Sequence, residues 1–463
     1  GVEIPPEESA ALLAACGQAW KGFLCIFGGM RVLLSFLGTS SYTEAEYDFG
    51  SEGDGGTAPR LLKGRFASLC MAQVWKPQKI IILATEKAES QNKREFEREY
   101  KEKGLEALPC QFRFERIPEG RTHAEIWSLF QTIVETIPPE SEVVMDVTHG
   151  FRSLPMIALA AVHYLELVKG IRIKHIWYGA FEQGRKGPFP IIDLTAFSDM
   201  LGWIWAVRTF RESGESHPLA EKLTSLQKGL FQTLSEDPGV KTLGEHLRHI
   251  GFSLLAVQPH LLWARMPLAI RQLDAVASKV QKEGETAAPT PALAQAKGVG
   301  ATLLGLLRDE LLSLQGQKQT EETHGQPAWN VRAQLEFELR LIDRYLTWHK
   351  PAQALLLMRE WLITWALCKK GEATGFFLYD NSVDCDEVKR KEMEQKLASE
   401  ESPSDEELKK VHKLLSQVRE KRNALAHAGY NTTARTKSLV DPQRLPEDLR
   451  GILGEMRKLL SEA

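Results

Sequence analysis

The 463-residue chain has no Cys-x-x-Cys pair and no cysteine near a histidine at zinc-finger spacing. Its six cysteines, at 16, 25, 70, 110, 368 and 385, are scattered as reduced, mostly buried thiols are, not clustered as a disulfide framework would be. No apolar run reaches the ~20 residues of a membrane span, and the best candidate, residues 23–37, is broken by Gly28, Gly29 and Arg31. The residues before it carry three Glu and one Lys, the wrong balance for a secretory leader. A cytoplasmic protein without a membrane partner is therefore expected. Positive charge is not in excess either. With 58 Lys and Arg against 61 Asp and Glu, the net charge of −3 argues against a general basic face for duplex DNA, while leaving room for a local basic cleft. Nucleotide fingerprints are missing: there is no Gly-x-Gly-x-x-Gly, and the run 179–186 ends Gly-Arg-Lys where a P-loop needs Gly-Lys-Ser/Thr. A nucleotide-using metabolic enzyme is thereby disfavoured. His246 and His249 are three apart but lack a third ligand, and Asp380, Asp384 and Asp386 lack the Gly and closing Glu of a calcium loop, so no metal is expected.

What is present is a globular composition, 43% hydrophobic and 26% charged, at a length that suits two or three domains. The N-terminal part alternates strand and helix. Met30-Arg31-Val32-Leu33-Leu34-Ser35-Phe36-Leu37 is an apolar strand that runs into Gly-Thr-Ser-Ser. Further strands are expected at 79–84, 111–117 and 142–147, with 171–181 and 189–194 as a hairpin around 184–187. Helices are expected at 58–74, 86–103, 123–137 and 153–168. This alternation means βαβ units and a mostly parallel sheet. After about 195 the strand signals stop. Helices are expected at 196–213, 219–234, 242–262, 267–282, 331–349 and 352–370, with loose linkers at 284–300 and 316–327. Residues 384–421 carry eleven acidic and nine basic residues, the pattern of a solvated helical face. Tryptophans including Trp203, Trp205, Trp361 and Trp365 fall at helical core spacing and are expected to pack. The fold class is thus α/β followed by all-α, and residues 1–29 read as an upstream extension or remnant.

In a doubly wound sheet, ligands bind beyond the carboxyl ends of the strands. Three loops there are rich in small and hydroxyl residues: Gly38-Thr39-Ser40-Ser41, Thr85-Glu86, and Thr148-His149-Gly150-Phe151-Arg152-Ser153. In the third, Gly150 permits close approach, Ser153 can cap the next helix and Arg152 adds a fixed positive charge. His149 can donate or accept near a phosphate or a 2′-hydroxyl. An anionic ligand is expected.

Asp146-Val147-Thr148-His149-Gly150-Phe151-Arg152-Ser153 matches the DxTHG motif of a family of CRISPR-associated CARF proteins, and Leu34-Ser35-Phe36-Leu37-Gly38-Thr39 with Tyr42 and Glu46-Tyr47 resembles that family's first strand and loop. The resemblance covers about 30–200. It implies a Rossmann-like domain that dimerises and binds a cyclic oligoadenylate across its two-fold axis. Proteins similar in this motif more often answer to cyclic tetra-adenylate, which is the expected activator, with cyclic hexa-adenylate second. The family's usual Gly-Thr-Gly is here Gly38-Thr39-Ser40.

Near the C-terminus stands Arg422-Asn423-Ala424-Leu425-Ala426-His427, with Gly429 expected to end the helix. Asn423 and His427 fall one turn apart; Arg422 and His427 lie about 140° apart, an angle a long Arg can close. Such a trio suits metal-free RNA cleavage: His427 moves protons, Arg422 holds the charged phosphorane and Asn423 orients. An Arg-x-x-x-x-His spacing alone arises by chance in many helices. The form with Asn after Arg, in a helical region behind a DxTHG domain, resembles the HEPN ribonucleases that accompany type III CRISPR systems. The resemblance implies a sensing CARF domain at 30–198, a helical connecting region at 199–330 and a HEPN domain at 331–463. The expected activity is a cofactor-free endoribonuclease on single-stranded RNA, allosterically activated, leaving 2′,3′-cyclic phosphate and 5′-hydroxyl ends. One helix supplies half a site, so a homodimer is expected, with further assembly left open. The rival reading is a non-catalytic CARF-type sensor or regulator that binds nucleic acid or protein; the acidic pI and absence of a helix-turn-helix weigh against it.

Overall fold

The computed structural model describes residues 29–50, 60–107, 110–149, 154–181, 187–230, 237, 239–284, 293, 296–298, 300–316, 322–323, 326–327, 331–371, 383–399, 405–427 and 441–462. The chain divides into two compact units, Gly1–Asp199 and Met200–Ala463. In the first, β1 (Arg31–Leu37), β2 (Ala45–Asp48), β3 (Leu61–Gly64), β4 (Lys79–Ala84), β5 (Gln111–Arg116), β6 (Glu142–Asp146), β7 (Arg172–Gly179) and β8 (Phe189–Asp193) form one sheet, in the order β3-β2-β8-β7-β6-β1-β4-β5. The five strands β5-β4-β1-β6-β7 are all parallel. β8 returns antiparallel to β7, β2 joins β8 in parallel, and β3 closes the edge antiparallel to β2.

Strand β1 is central, and its alternation sorts two cores. Leu33 and Leu37 face a layer built with α1 (Ala67–Trp75) and α2 (Glu86–Glu102), where Phe66, Leu69, Phe96 and Tyr100 are buried. Val32, Leu34 and Phe36 face the opposite layer, built with α3 (His123–Thr136) and α4 (Leu154–Lys169), where Leu129, Ile133, Val162 and Leu165 are buried. Burial on both faces is why these strands read as continuous apolar runs. Chain order runs outward from β1 to β4 and β5 on one side and to β6 and β7 on the other. The carboxyl ends of β1 and β6 therefore flank the topological switch point.

The second unit is helical through α5 (Thr195–Ser213, which begins in the first unit), α6 (His217–Leu230), α7 (Val240–Leu255), α8 (Pro259–Gly284), α9 (Gly305–Gln315), α10 (Val331–Thr347), α11 (Pro351–Lys369), α12 (Val383–Ala398), α13 (Glu406–Ala426) and α14 (Leu445–Glu462). Trp203, Trp361 and Trp365 are buried in its core. A buried polar cluster joins three of the helices. On α10, Gln334 Nε2 donates to Glu338 Oε1 at 2.8 Å, while Glu338 Oε2 is shielded and unpartnered. Arg390 of α12 pairs with Glu360 of α11 and donates to Thr364 Oγ1 at 3.0 Å.

Several expectations are corrected. Residues 61–64 of the expected 58–74 helix are strand β3, and the helix starts only after Phe66. The apolar spacing of Leu61, Leu62, Phe66 and Leu69 suited a helix, but pairing with β2 wins, aided by Gly64: a Cβ there would sit 2.5 Å from Glu99 Oε1. Strand β2 was not anticipated; its alternation, Ala45 and Tyr47 in, Glu46 and Asp48 half-exposed, is a four-residue signal. The expected 242–262 helix is two, divided near Val257, whose φ of 53° breaks the helical path, whereas Pro267 lies inside α8. Trp205 is 60% exposed, not packed. Residues 384–421 are not one solvated face but span parts of two helices that bury Met393, Leu397, Val411, Leu415 and Val418.

Candidate functional site

The switch point is built from one buried carboxylate outward. Asp146 ends β6 directly across from Ser35 of β1, and Ser35 Oγ donates to its Oδ2 at 2.7 Å. Its Oδ1 accepts the Thr148 backbone N–H at 2.9 Å. Thr148 Oγ1 in turn accepts the Gly179 N–H of β7 at 2.8 Å. A fully buried carboxylate thus ties the ends of β1 and β6 together and bends the next residues into the crevice. Hydrogen bonds shielded from water are the strong ones, which suits a loop that must hold its shape.

The loop after β1 is held with equal care. Gly38 N–H donates to the Tyr42 hydroxyl at 2.7 Å. Asn92, buried on α2, donates to the carbonyls of Gly38 and Ser40 at 2.9 and 3.1 Å. A Cβ at Gly38 would lie 3.1 Å from the His149 carbonyl oxygen and 3.2 Å from the Tyr42 hydroxyl, so the two loops approach as closely as they do because this residue lacks a side chain. Tyr42 presents its ring edge-on to His149 at 4.7 Å and packs on Phe66. Burial depresses the His149 pKa below the usual imidazole range, with the Asp146 charge working against it, so the ring is held neutral at neutral pH. Its Nε2 is shielded and has no hydrogen-bond partner. A shielded, unpaired imidazole nitrogen costs free energy until a ligand atom pairs with it.

The expected ligand residues fall into three groups. Gly38, Thr39, Ser40, Ser41, Thr148 and His149 are brought together at the ends of β1 and β6, and among the described residues no partner uses the hydroxyls of Thr39, Ser40 or Ser41. Thr85 is buried as the N-cap of α2, accepting from Ala88 N–H at 3.3 Å, and Glu86 is exposed and paired with Arg116 at 3.3 Å. Gly150, Phe151, Arg152 and Ser153 lie outside the described residues, as do 1–28, 182–186 at the expected hairpin turn, Asp380 and Gly429. Sequence reasoning missed Ser35 and Asn92. Each left a signal: Ser35 is the polar residue inside an otherwise apolar buried strand, and Asn92 sits in the stripe 88, 92, 96 and 99 that α2 turns inward.

In the second unit, α13 starts with Asp405 capping Glu407 and Leu408 N–H at 2.9 and 3.0 Å and ends at His427. His427 is the exposed C-cap residue, its N–H donating to the Asn423 carbonyl at 2.9 Å. Arg422 Nη2 donates to the Asn423 side-chain oxygen at 2.9 Å. The last turns of the helix therefore carry Arg422, Asn423 and His427, with Asn423 already orienting the guanidinium. Among the described residues no group of three or more His, Cys, Asp or Glu could hold a metal, and no helix is long and apolar enough to cross a membrane.

Residues 32–182, about a third of the chain, match the family model for the CARF domain of the CRISPR system endoribonuclease Csx1. CRISPR-associated protein MJ1674 of Methanocaldococcus jannaschii is 27% identical over 124 residues, which cover 26% of this chain and 20% of that protein. The match spans only a fifth of that relative's length. Among solved structures, Enterococcus italicus Csm6 bound to cyclic hexa-2′-fluoro-hexa-dAMP aligns over 94% of each chain at 11% identity with a TM-score of 0.38, too low to establish a shared fold. The N-terminal unit is a CARF-type domain of the CRISPR-associated kind.

Proposed function

We propose that this CARF-bearing chain is a cyclic-oligoadenylate-activated, metal-independent endoribonuclease of type III CRISPR defence, acting on single-stranded RNA in the cytoplasm. The observation that carries the reading is one of combination. A single chain holds a CARF-type crevice with an unpartnered His149 Nε2, and a half-buried Arg422 with exposed Asn423 and His427 at the end of a helix. The domains are read as a sensing domain at 30–198, a connecting region at 199–330 and a HEPN domain at 331–463. The activator lies on a two-fold axis, so an even ring gives each subunit the same half. Cyclic tetra-adenylate is placed first and cyclic hexa-adenylate second. Each half-ring meets Gly38 to Ser41 from one loop and Thr148 to Ser153 from the other, with Arg152 facing phosphate.

Cleavage needs no external nucleophile. His427 takes the 2′-hydroxyl proton or returns one to the leaving 5′-oxygen, and Arg422 stabilises the phosphorane charge. The products are a 2′,3′-cyclic phosphate and a 5′-hydroxyl. One chain offers one Arg422 and one His427, so two copies complete the site. An apolar face on the first unit supports a dimer: Trp127 is 69%, Met156 75% and Leu167 86% exposed on α3 and α4. Binding shifts the distant site only through differential affinity for its two states. The test is RNA cleavage in EDTA against a panel of cyclic oligoadenylates. Activation by one ring size supports the reading. Activator binding without any cleavage would leave a non-catalytic sensor instead, and indifference to every ring would remove the sensing half.

A further inference from the structure

Resting on that reading, we propose that Arg419 is a substrate-positioning residue, which grips the RNA phosphate next to the one being cut. On a helix of 100° per residue, Arg422 and His427 stand about 140° apart. Arg419 falls in the sector between them, about 60° from Arg422 and about 80° from His427, and about 4.5 Å further down the axis. The same sector holds Asn423 and the exposed, small Ala426, so no bulky side chain of the helix itself fills it. A strand crossing that sector toward the body of α13 passes over Arg419.

The charge pattern of α13 points the same way. Lys409 pairs with Glu406 at 2.6 Å, Lys410 with Glu462 at 3.1 Å, and Lys421 with Asp448. Arg419 is half-buried and, among the described residues, has no acidic partner; Arg422 has only the Asn423 side-chain oxygen. Two guanidinium groups one turn apart, neither neutralised, form a local basic stripe on a chain of net charge −3. Guanidinium is the group suited to bidentate phosphate contacts. A purely structural account also exists, because the aliphatic stem of a half-buried Arg can pack along the helix surface. The two accounts predict different measurements.

The experiment compares His427→Ala with the His427→Ala, Arg419→Ala double variant in binding a single-stranded RNA, with activator present, from 50 to 200 mM salt. Loss of Arg419 is expected to weaken binding on the order of tenfold at low salt, as loss of one charge-assisted bond implies. It should also flatten the salt dependence, by about 2.5-fold across that range, for one phosphate contact on a single strand. In the cleaving enzyme, Arg419→Ala should raise KM more than it lowers kcat, with Arg419→Lys recovering part of the loss. Unchanged affinity and salt slope overturn the proposal. So does a loss of affinity that is independent of salt and tracks a fall in melting temperature, which assigns Arg419 to the helix alone. If the wild type cleaves RNA while these binding curves coincide, only the Arg419 assignment fails; if the wild type neither binds nor cleaves RNA, the ribonuclease reading fails with it.

Discussion

Glu338→Gln should make the helical unit more stable at pH 8 and leave it nearly unchanged at pH 5. Glu338 is 3% exposed, with one oxygen accepting from Gln334 and the other unpartnered. Burial pushes its carboxyl from the ordinary 4.5 up to about 7, against the opposing pull of Gln334 and Arg390 and with a smaller push from Glu360. A native pKa above the unfolded one means that the folded chain binds the extra proton. The associated stability is therefore complete below about pH 4 and is lost as pH rises through about 7. At 1.36 kcal/mol per pH unit between those two values, the loss is about 3 kcal/mol. Gln keeps the acceptor that Gln334 needs and never ionises. The assay is differential scanning calorimetry of both proteins from pH 5 to 8. The melting temperature of the helical unit should diverge by roughly 6–12 °C at the upper end. Curves that stay parallel across that range would refute the reasoning.

Replacing His427 by Ala should abolish cleavage in EDTA, by about 10²–10⁴-fold or more, while the protein stays folded by circular dichroism; Arg422→Ala should act similarly, and residual magnesium-dependent activity would contradict both. Asp146→Ala removes two hydrogen bonds to a buried carboxylate, so the sensing unit should lose about 3–5 kcal/mol and its cyclic-oligoadenylate affinity, as read by calorimetry and titration. Leu167→Glu puts a charge on the exposed apolar face of the first unit; light scattering should report a dimer for the wild type and a monomer for the variant.

The central sheet was legible because its strands are buried on both faces and leave unbroken apolar runs, as in Lys79–Ala84 and Glu142–Asp146. The edge was not. Strands β2 and β3 are four residues long, too short to display a period, and they exist because the sheet offers them a partner. The crevice was legible at Gly38 to Ser41 and at Thr148 and His149, where small and hydroxyl residues follow apolar runs. Thr85 carried the same composition, yet its hydroxyl caps a helix, since a Thr before a helix serves the first turn before it can serve a ligand. Ser35 and Asn92 went unread because their partners are remote in sequence, 111 and 52–54 residues away.

The two bonds from Asn92 also fix the direction in which the first loop can interact. They occupy the carbonyls of Gly38 and Ser40, and Tyr42 occupies the Gly38 N–H. What remains uncommitted includes the N–H of Thr39, Ser40 and Ser41 and three hydroxyls, none of them bonded among the described residues. Burial raises the pKa of Tyr42, and its oxygen already accepts, so its proton too is left to give. Two of the loop's carbonyls are thus turned onto α2, while its N–H groups and hydroxyls can still donate. An oxygen-rich anion can accept from those N–H groups and hydroxyls. One buried side-chain amide thus sets both the path of the loop and which of its backbone groups are left to interact.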